Sequence, residues 1–280
     1  MDRQGFIDFN NQISPEKSGR AGSYAQAIMI LDEALQHQDV VDLKGQSLYD
    51  ITDIKILDEV SSFVRAETRK VRKKQQSIFD HVNEFPPSYA RDYFCSSALT
   101  SLKKYVLYLQ DVKLADEIVA HEDNPQKISK KLIAHFDLTK EGEDIESVTN
   151  RRKGQDYFRR MVLANYNSRC ALTGIDIPQL LMASHIIPWR DKSHKKERLN
   201  PCNGICLSAL YDKAFDKGFI TFLPDDFSVR LSSALRENES KEYFDQHFGC
   251  IIGKKLTLPS EFKPNREFLA YHCKEVFLGL

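Results

Sequence analysis

Between residues 184 and 222 a histidine, an asparagine and an aspartate follow one another in an order that can build one hydrolytic centre. His185 comes first, Asn203 eighteen residues later, and Asp212 nine residues after that. Histidine is the side chain best matched to taking a proton near neutral pH, so His185 is the candidate general base. One ring nitrogen must then stay open, and the other needs an acceptor, for which a backbone carbonyl of the following loop is suited. The Asn203 amide can donate and accept at once, and so can tie down loop 188–202. Asp212 is a hard oxygen donor suited to magnesium or manganese. Asp216 lies one helical turn further on the same face; it is either a supporting carboxylate near the metal or the ion-pair partner of a lysine or arginine. An activated water, positive charge on the phosphate and help for the leaving oxygen are what phosphodiester hydrolysis requires. Each residue alone has a commoner explanation: a structural histidine, an Asn-Gly turn, a solvated helix aspartate. The combination, in this order, points to chemistry.

Elements that can position these residues are readable around them. LLMASHII (180–187) is predicted as a short strand carrying His185, GICLS (204–208) as a second strand, and ALYDKAFDKG (209–218) as a helix stopped by Gly218. SRCALTG (168–174) reads as a strand running into a glycine turn, and FITFLP with FSVRLS as a hairpin around Asp225–Asp226. Helices are expected near 156–166, 237–247 and 266–278. The first half reads as helical. Predicted helices cover 23–36 with Ser23 as cap, 49–82 as one long helix or two with Asp50 or Thr52 as cap and a stop at Pro86-Pro87, 96–112, and one more within 113–135. Residues 137–156 pass from an acidic run to a basic one with few apolar positions. The boundary is placed there: a helical region over 1–145, and a region over 146–280 that holds the His185–Asp212 constellation. The fold class is α+β.

Lysine plus arginine and aspartate plus glutamate each number 40, so there is no global positive field. A nucleic-acid enzyme of this composition must concentrate its positive charge locally. Three groups offer this: Arg151, Arg152 and Lys153 with Arg159 and Arg160; Arg190, Lys192, Lys195, Lys196 and Arg198 in the loop after His185; and the run Arg65, Arg69, Lys70, Arg72, Lys73 and Lys74. Each is either a phosphate-contacting surface or a solvated face. Trp189 reads as packing under the loop rather than stacking on a base. The N-terminus has no apolar secretory segment and no apolar run is long enough to span a bilayer, so a cytoplasmic, membrane-free protein is expected. The six cysteines form no CxxC pair and read as reduced thiols. Cys170, Cys202 and Cys206 with a histidine make a zinc site on paper only, and no structural zinc is expected.

Three stretches together, RCALTG (169–174), SHIIPW (184–189) and ERLNPCNGICLSALYDKAFDKGFITF (197–222), resemble the His-Asn-His (HNH) nuclease superfamily with its ββα-metal fold. The likeness is closest to a branch found in bacterial restriction-type proteins. It implies that His185 activates water, that Asn203 organises the loop, and that Asp212 binds metal where many relatives place a final histidine. Arg198 resembles a recurrent basic residue that holds the scissile phosphate or braces a carboxylate. Two departures stand out. Ser184 occupies the position of an acidic metal ligand in many relatives and is a ligand only through water. The cysteine pairs that bind zinc in many such modules are absent. The resemblance implies a divalent metal (Mg²⁺, with Mn²⁺ as the other option), double-stranded DNA as substrate, a homodimer, and a restriction or defence role; GSYAQAIMILDEAL with SSALTSLKKYVLYL resembles the helical region that often precedes such a module, which implies DNA recognition or dimerisation for 1–145. The alternatives it leaves open are a nonspecific or nicking nuclease and a DNA-binding module with a degenerate centre.

Overall fold

The computed structural model describes residues 1–13, 19–36, 41, 43, 45–83, 85–138 and 145–279. The chain divides into two compact units, Met1–Lys113 and Leu114–Leu280. The compositional change near residue 145 falls instead at the start of a helix of the second unit.

The first unit is helical: α1 (Arg3–Ile13), α2 (Arg20–Leu35), α3 (Ile54–Arg72), α4 (Pro87–Arg91) and the first part of α5 (Phe94–Ala120). Its core gathers Phe6, Ile28, Leu31, Leu57, Leu99 and Leu102, all fully buried. Burying side chains of this size contributes roughly 1.5–3 kcal/mol each before the entropy cost. Two cap expectations are corrected. Helix α2 begins at Arg20 behind Gly19, so Ser23 lies inside it. Helix α3 is capped by Asp53, whose carboxylate accepts from the Lys55 amide, while Asp50 ends a separate short turn started by Ser47. The stretch 49–82, expected as one long helix or two, holds one α-helix flanked by short turns at Leu48–Asp50 and Ile78–His81, and α5 runs on to residue 120 where 112 was expected.

The second unit begins with the end of α5, then α6 (Pro125–His135) and α7 (Ile145–Asn165). Helix α7 absorbs the polar stretch that reads in sequence as a linker, because Tyr157, Phe158, Met161 and Val162 anchor its later turns in the core. β1 (Leu181–His185) pairs antiparallel with β2 (Gly204–Ser208), His185 opposite Gly204 and Ser184 opposite Ile205. Helix α8 (Ala209–Asp216) follows at once and packs back across β1 and β2. Gly204 is required by close approach: a Cβ there would lie 2.3 Å from Cγ2 of Val162. Gly218, at φ 72°, ends α8, and a Cβ there would lie 2.1 Å from the Val276 carbonyl oxygen. A second antiparallel pair, β3 (Ile220–Phe222) with β4 (Val229–Leu231), is followed by α9 (Ser233–Arg236), α10 (Glu242–His247) and α11 (Arg266–Glu275). The fold is α+β: a mostly helical body, then a small strand-and-helix C-terminal region.

The expected strand at 168–174 is instead a turn. Cys170 donates to the Ile175 carbonyl at 2.8 Å and Gly174 donates back to Cys170 at 2.8 Å, so the segment closes on itself. It is tied to β2 by Ala171 N–H donating to the Cys206 carbonyl, 2.8 Å, and by the Ser208 amide donating to Cys170 Sγ, 3.2 Å. No helix among the described residues is long and apolar enough to cross a membrane.

Candidate active site

The ββα element brings Ser184, His185, Asp212 and Asp216 to one cleft of about 420 Å³, with Met182, Pro188, Trp189, Arg190, Lys213 and Lys217 on its walls. Strand alternation sets which β1 side chains meet α8: Ser184 donates its hydroxyl to Asp212 Oδ1 at 2.6 Å, tying strand to helix. His185 ends the strand. Its ring lies flat on Phe158, 3.8 Å between centroids and 16° between planes, with Trp189 edge-on at 5.5 Å.

His185 Nε2 lies 3.0 Å from the Arg198 carbonyl oxygen. That oxygen only accepts, so Nε2 carries the proton and donates, and the lone pair is on Nδ1. Nδ1 has no hydrogen-bond partner among the described residues and keeps solvent contact at the cleft. Burial of the ring pushes its pKa down to about 4, against a smaller upward effect of the Arg198 carbonyl. At neutral pH the imidazole is therefore uncharged, with one nitrogen fixed and one open.

Asn203 is buried at 1% exposure and makes three hydrogen bonds that close the loop between β1 and β2. Its Oδ1 accepts from the Ile187 amide at 2.8 Å, and Nδ2 donates to the carbonyls of Ile187 (3.2 Å) and Glu197 (3.0 Å). The next carbonyl after Glu197 is that of Arg198, the partner of His185, so Asn203 fixes the segment that orients the base. Asn200 assists, donating to Glu197 Oε2 at 2.6 Å and accepting from the Cys202 amide at 2.9 Å.

Asp212 and Asp216 sit one turn apart on α8. Burial and the charge of Asp212 both raise the pKa of Asp216, opposed by Lys213, Arg190 and Lys217. Both line the cleft. No group of three His, Cys, Asp or Glu side chains able to hold a metal occurs among the described residues.

The remaining sequence-derived candidates are dispersed. Arg198 does not line the cleft: it is buried, its Nε donates to the Trp189 carbonyl at 2.9 Å, and its guanidinium lies over the Trp189 ring at 5.3 Å. Of the loop cations, Arg190 lines the cleft, whereas Lys192, Lys195 and Lys196 do not. Arg151, Arg152 and Lys153 are half-buried on α7 and already engaged. Arg159 donates to the Leu181 and Pro178 carbonyls at 2.6 and 3.2 Å and so anchors the start of β1. Arg69 and Lys73 are exposed at the end of α3, in the first unit. Sequence reasoning passed over Lys213 and Lys217, although both lie inside the DKAFDKG stretch, and over Phe158, which lies in another element and carries no local signal.

A family model described as HNH endonuclease matches residues 170–223. That segment contains β1, β2, α8 and β3, so the matched region and the ββα arrangement coincide. No curated protein matches the chain.

Proposed function

We propose that residues 114–280 form a nuclease centre that hydrolyses DNA phosphodiesters one strand at a time, with His185 as general base. One observation carries this reading: a neutral imidazole, fixed through Nε2 and open at Nδ1, faces a cleft that also holds two carboxylates and three cations.

In this reading Nδ1 takes a proton from the attacking water while Nε2 keeps its bond to the Arg198 carbonyl, so the ring gains charge without moving. Phe158 and Asn203 hold the geometry that makes the transfer direct. Arg190, Lys213 and Lys217 receive the phosphate and offset its growing negative charge. Arg198 has its fork committed to Trp189, so the phosphate falls to these three rather than to it.

The donor set fits a hard divalent ion. Two carboxylates with a hydroxyl between strand and helix are oxygen donors, and Mg²⁺ is commonly held by one or two carboxylates with waters and substrate phosphate making up its shell. Asp212 and Asp216 are the residues that would hold it. When bound, the ion would polarise the phosphate and stabilise the leaving oxygen. The set lacks the thiolates and imidazoles of a closed zinc site.

A second reading is a DNA-binding module whose centre has lost efficient chemistry. Ser184 favours it, standing where an acidic ligand is common and leaving the cleft short of a third strong donor. The experiment uses duplex oligonucleotides, modified and unmodified, labelled on each strand separately, with Mg²⁺, Mn²⁺ or EDTA. Metal-dependent cuts that vanish in His185→Ala support the nuclease. Paired cuts at a fixed spacing indicate a homodimer acting on both strands, and discrimination between modified and unmodified duplexes indicates a defence role. Salt-sensitive binding without cutting moves the conclusion to the binding module.

A further inference from the structure

Two consecutive residues of the C-terminal helix α11 bond to segments next to cleft residues, one in the loop after Arg190 and one in α8 before Asp216. Tyr271 donates its hydroxyl to Asp191 Oδ2. Asp191 in turn accepts at Oδ1 from the amides of Ser193 (2.7 Å) and His194 (3.1 Å), so it shapes the loop immediately after Trp189 and Arg190. These bonds, led by that from Tyr271, hold the Asp191 carboxyl down at about 2. His272 is buried at 1% exposure and lies flat on Phe215, 3.8 Å between centroids and 2° between planes. Its Nε2 donates to the Phe215 carbonyl at 3.2 Å, and its Nδ1 accepts from the Thr221 hydroxyl at 2.9 Å. Phe215 precedes Asp216, one of the two cleft carboxylates.

We infer that α11 is a two-armed brace: Tyr271 sets the loop wall through Asp191, and His272 sets the α8 wall through Phe215, together fixing the gap between the His185 base and the Asp212–Asp216 carboxylates. Neither side chain lines the cleft, so both are positioning residues rather than catalytic ones. The arms differ from general core packing because each ends on a polar group within one or two residues of a cleft residue. Asp191 follows Arg190 directly, and the Phe215 carbonyl belongs to the peptide that leads into Asp216. The kinetic half of this inference rests on the nuclease reading; the structural half does not.

Trp189, the only tryptophan of the chain, sits in the braced loop two residues before Asp191, and its emission and acrylamide quenching report that wall whether or not the protein cuts DNA. The test compares the full-length protein with Tyr271→Phe, which removes only the hydroxyl, and with Tyr243→Phe as a control. The control breaks an exposed bond to Asn238 of 3.2 Å, outside the cleft. Tyr271→Phe is expected to red-shift Trp189 and raise its quenching with the thermal midpoint held at the control's value. It is also expected to lower kcat roughly 10-fold, the usual cost of losing a supporting bond, with KM unchanged. Asp191→Ala should cost the same factor, and the double variant no more. For the other arm, His272→Leu should lower kcat, and His272→Gln, which keeps a donor for the Phe215 carbonyl, should recover most of it. Unchanged Trp189 emission and quenching in Tyr271→Phe would overturn the brace even in a fully active enzyme. Altered Trp189 signals in a protein that never cuts DNA would uphold the brace and sink the nuclease reading instead.

Discussion

The surroundings of His185 and of His272 are built from the same parts. Each imidazole lies on a phenylalanine ring at 3.8 Å, each has Nε2 near a backbone carbonyl, at 3.0 and 3.2 Å, and burial pushes each pKa down to about 4. They differ at one atom. Nδ1 of His272 is closed by Thr221, while Nδ1 of His185 has no partner among the described residues and opens on the cleft. A satisfied imidazole is a structural joint; the same joint with one lone pair left open beside two carboxylates is positioned to act as a base. Burial and a low pKa are therefore common to both histidines, and the open nitrogen is what sets His185 apart.

The largest way to break this comparison is to remove each ring in turn. His185→Ala is expected to cost about 10²–10⁴-fold in cleavage rate, the span typical of a lost general base, with DNA binding retained. His272→Ala is expected to act first on stability, about 2–4 kcal/mol for a buried, hydrogen-bonded ring, measured by denaturant midpoint. Equal kinetic losses with equal stability would erase the distinction.

Asn203→Ala should destabilise the second unit by about 3 kcal/mol, because the amide of Ile187 and two carbonyls lose their partner inside the protein. Asn203→Asp, which keeps the acceptor, should recover the part due to the Ile187 amide. Denaturant melts of both variants check the order.

The two histidines also predict a pH dependence. In the folded protein they stay neutral down to about pH 4, whereas unfolded imidazoles take a proton below the ordinary value of 6.5. Between these values the unfolded chain binds more protons, so stability is full above about 6.5 and is lost as pH falls towards 4, by roughly 3 kcal/mol per ring when complete. His272→Gln should flatten this slope in thermal melts between pH 7 and 4. An unchanged slope would show that His272 is not buried as a neutral ring.

The smallest effect concerns the departure at Ser184. Replacing it by aspartate sets a third carboxylate beside Asp212 and should tighten Mg²⁺ or Mn²⁺ by up to about tenfold, or 1.4 kcal/mol, at some cost from the lost bond to Asp212. Titration of the metal by calorimetry reads this directly. No gain in affinity would mean that Asp212 and Asp216 are not the metal-binding wall.

What could be read from sequence follows from distance along the chain. β1, the ordered loop, β2 and α8 are legible because His185, Asn203 and Asp212 lie within 28 residues and each element carries its own period or stop, such as Gly218 after α8. The strand assignment at 168–174 failed because the segment satisfies its own backbone in a turn, a choice that tertiary pairing with β2 decides. The polar start of α7 read as a linker because its anchor is a few later aromatic side chains rather than a continuous stripe. Arg198 read, from the resemblance, as holding the phosphate or bracing a carboxylate, but its guanidinium lies over Trp189 with Nε on the Trp189 carbonyl. Phe158, Tyr271 and His272 reach the centre from 27 residues before His185 and from 86 and 87 after it, so no local pattern announces them. The charges on the cleft, Lys213 and Lys217, were visible as residues and became informative only once α8 placed them beside Asp216.

The most direct measurement is chemical rescue of the missing base. His185→Ala and His272→Ala are assayed on supercoiled plasmid with Mg²⁺ or Mn²⁺, with and without added imidazole. The account predicts nicking by the wild-type protein, none by His185→Ala, and partial return when imidazole fills the cleft, while His272→Ala gains nothing from imidazole. Wild-type nicking rates in His185→Ala without imidazole, or a wild-type protein that binds the plasmid and never nicks it, would contradict it.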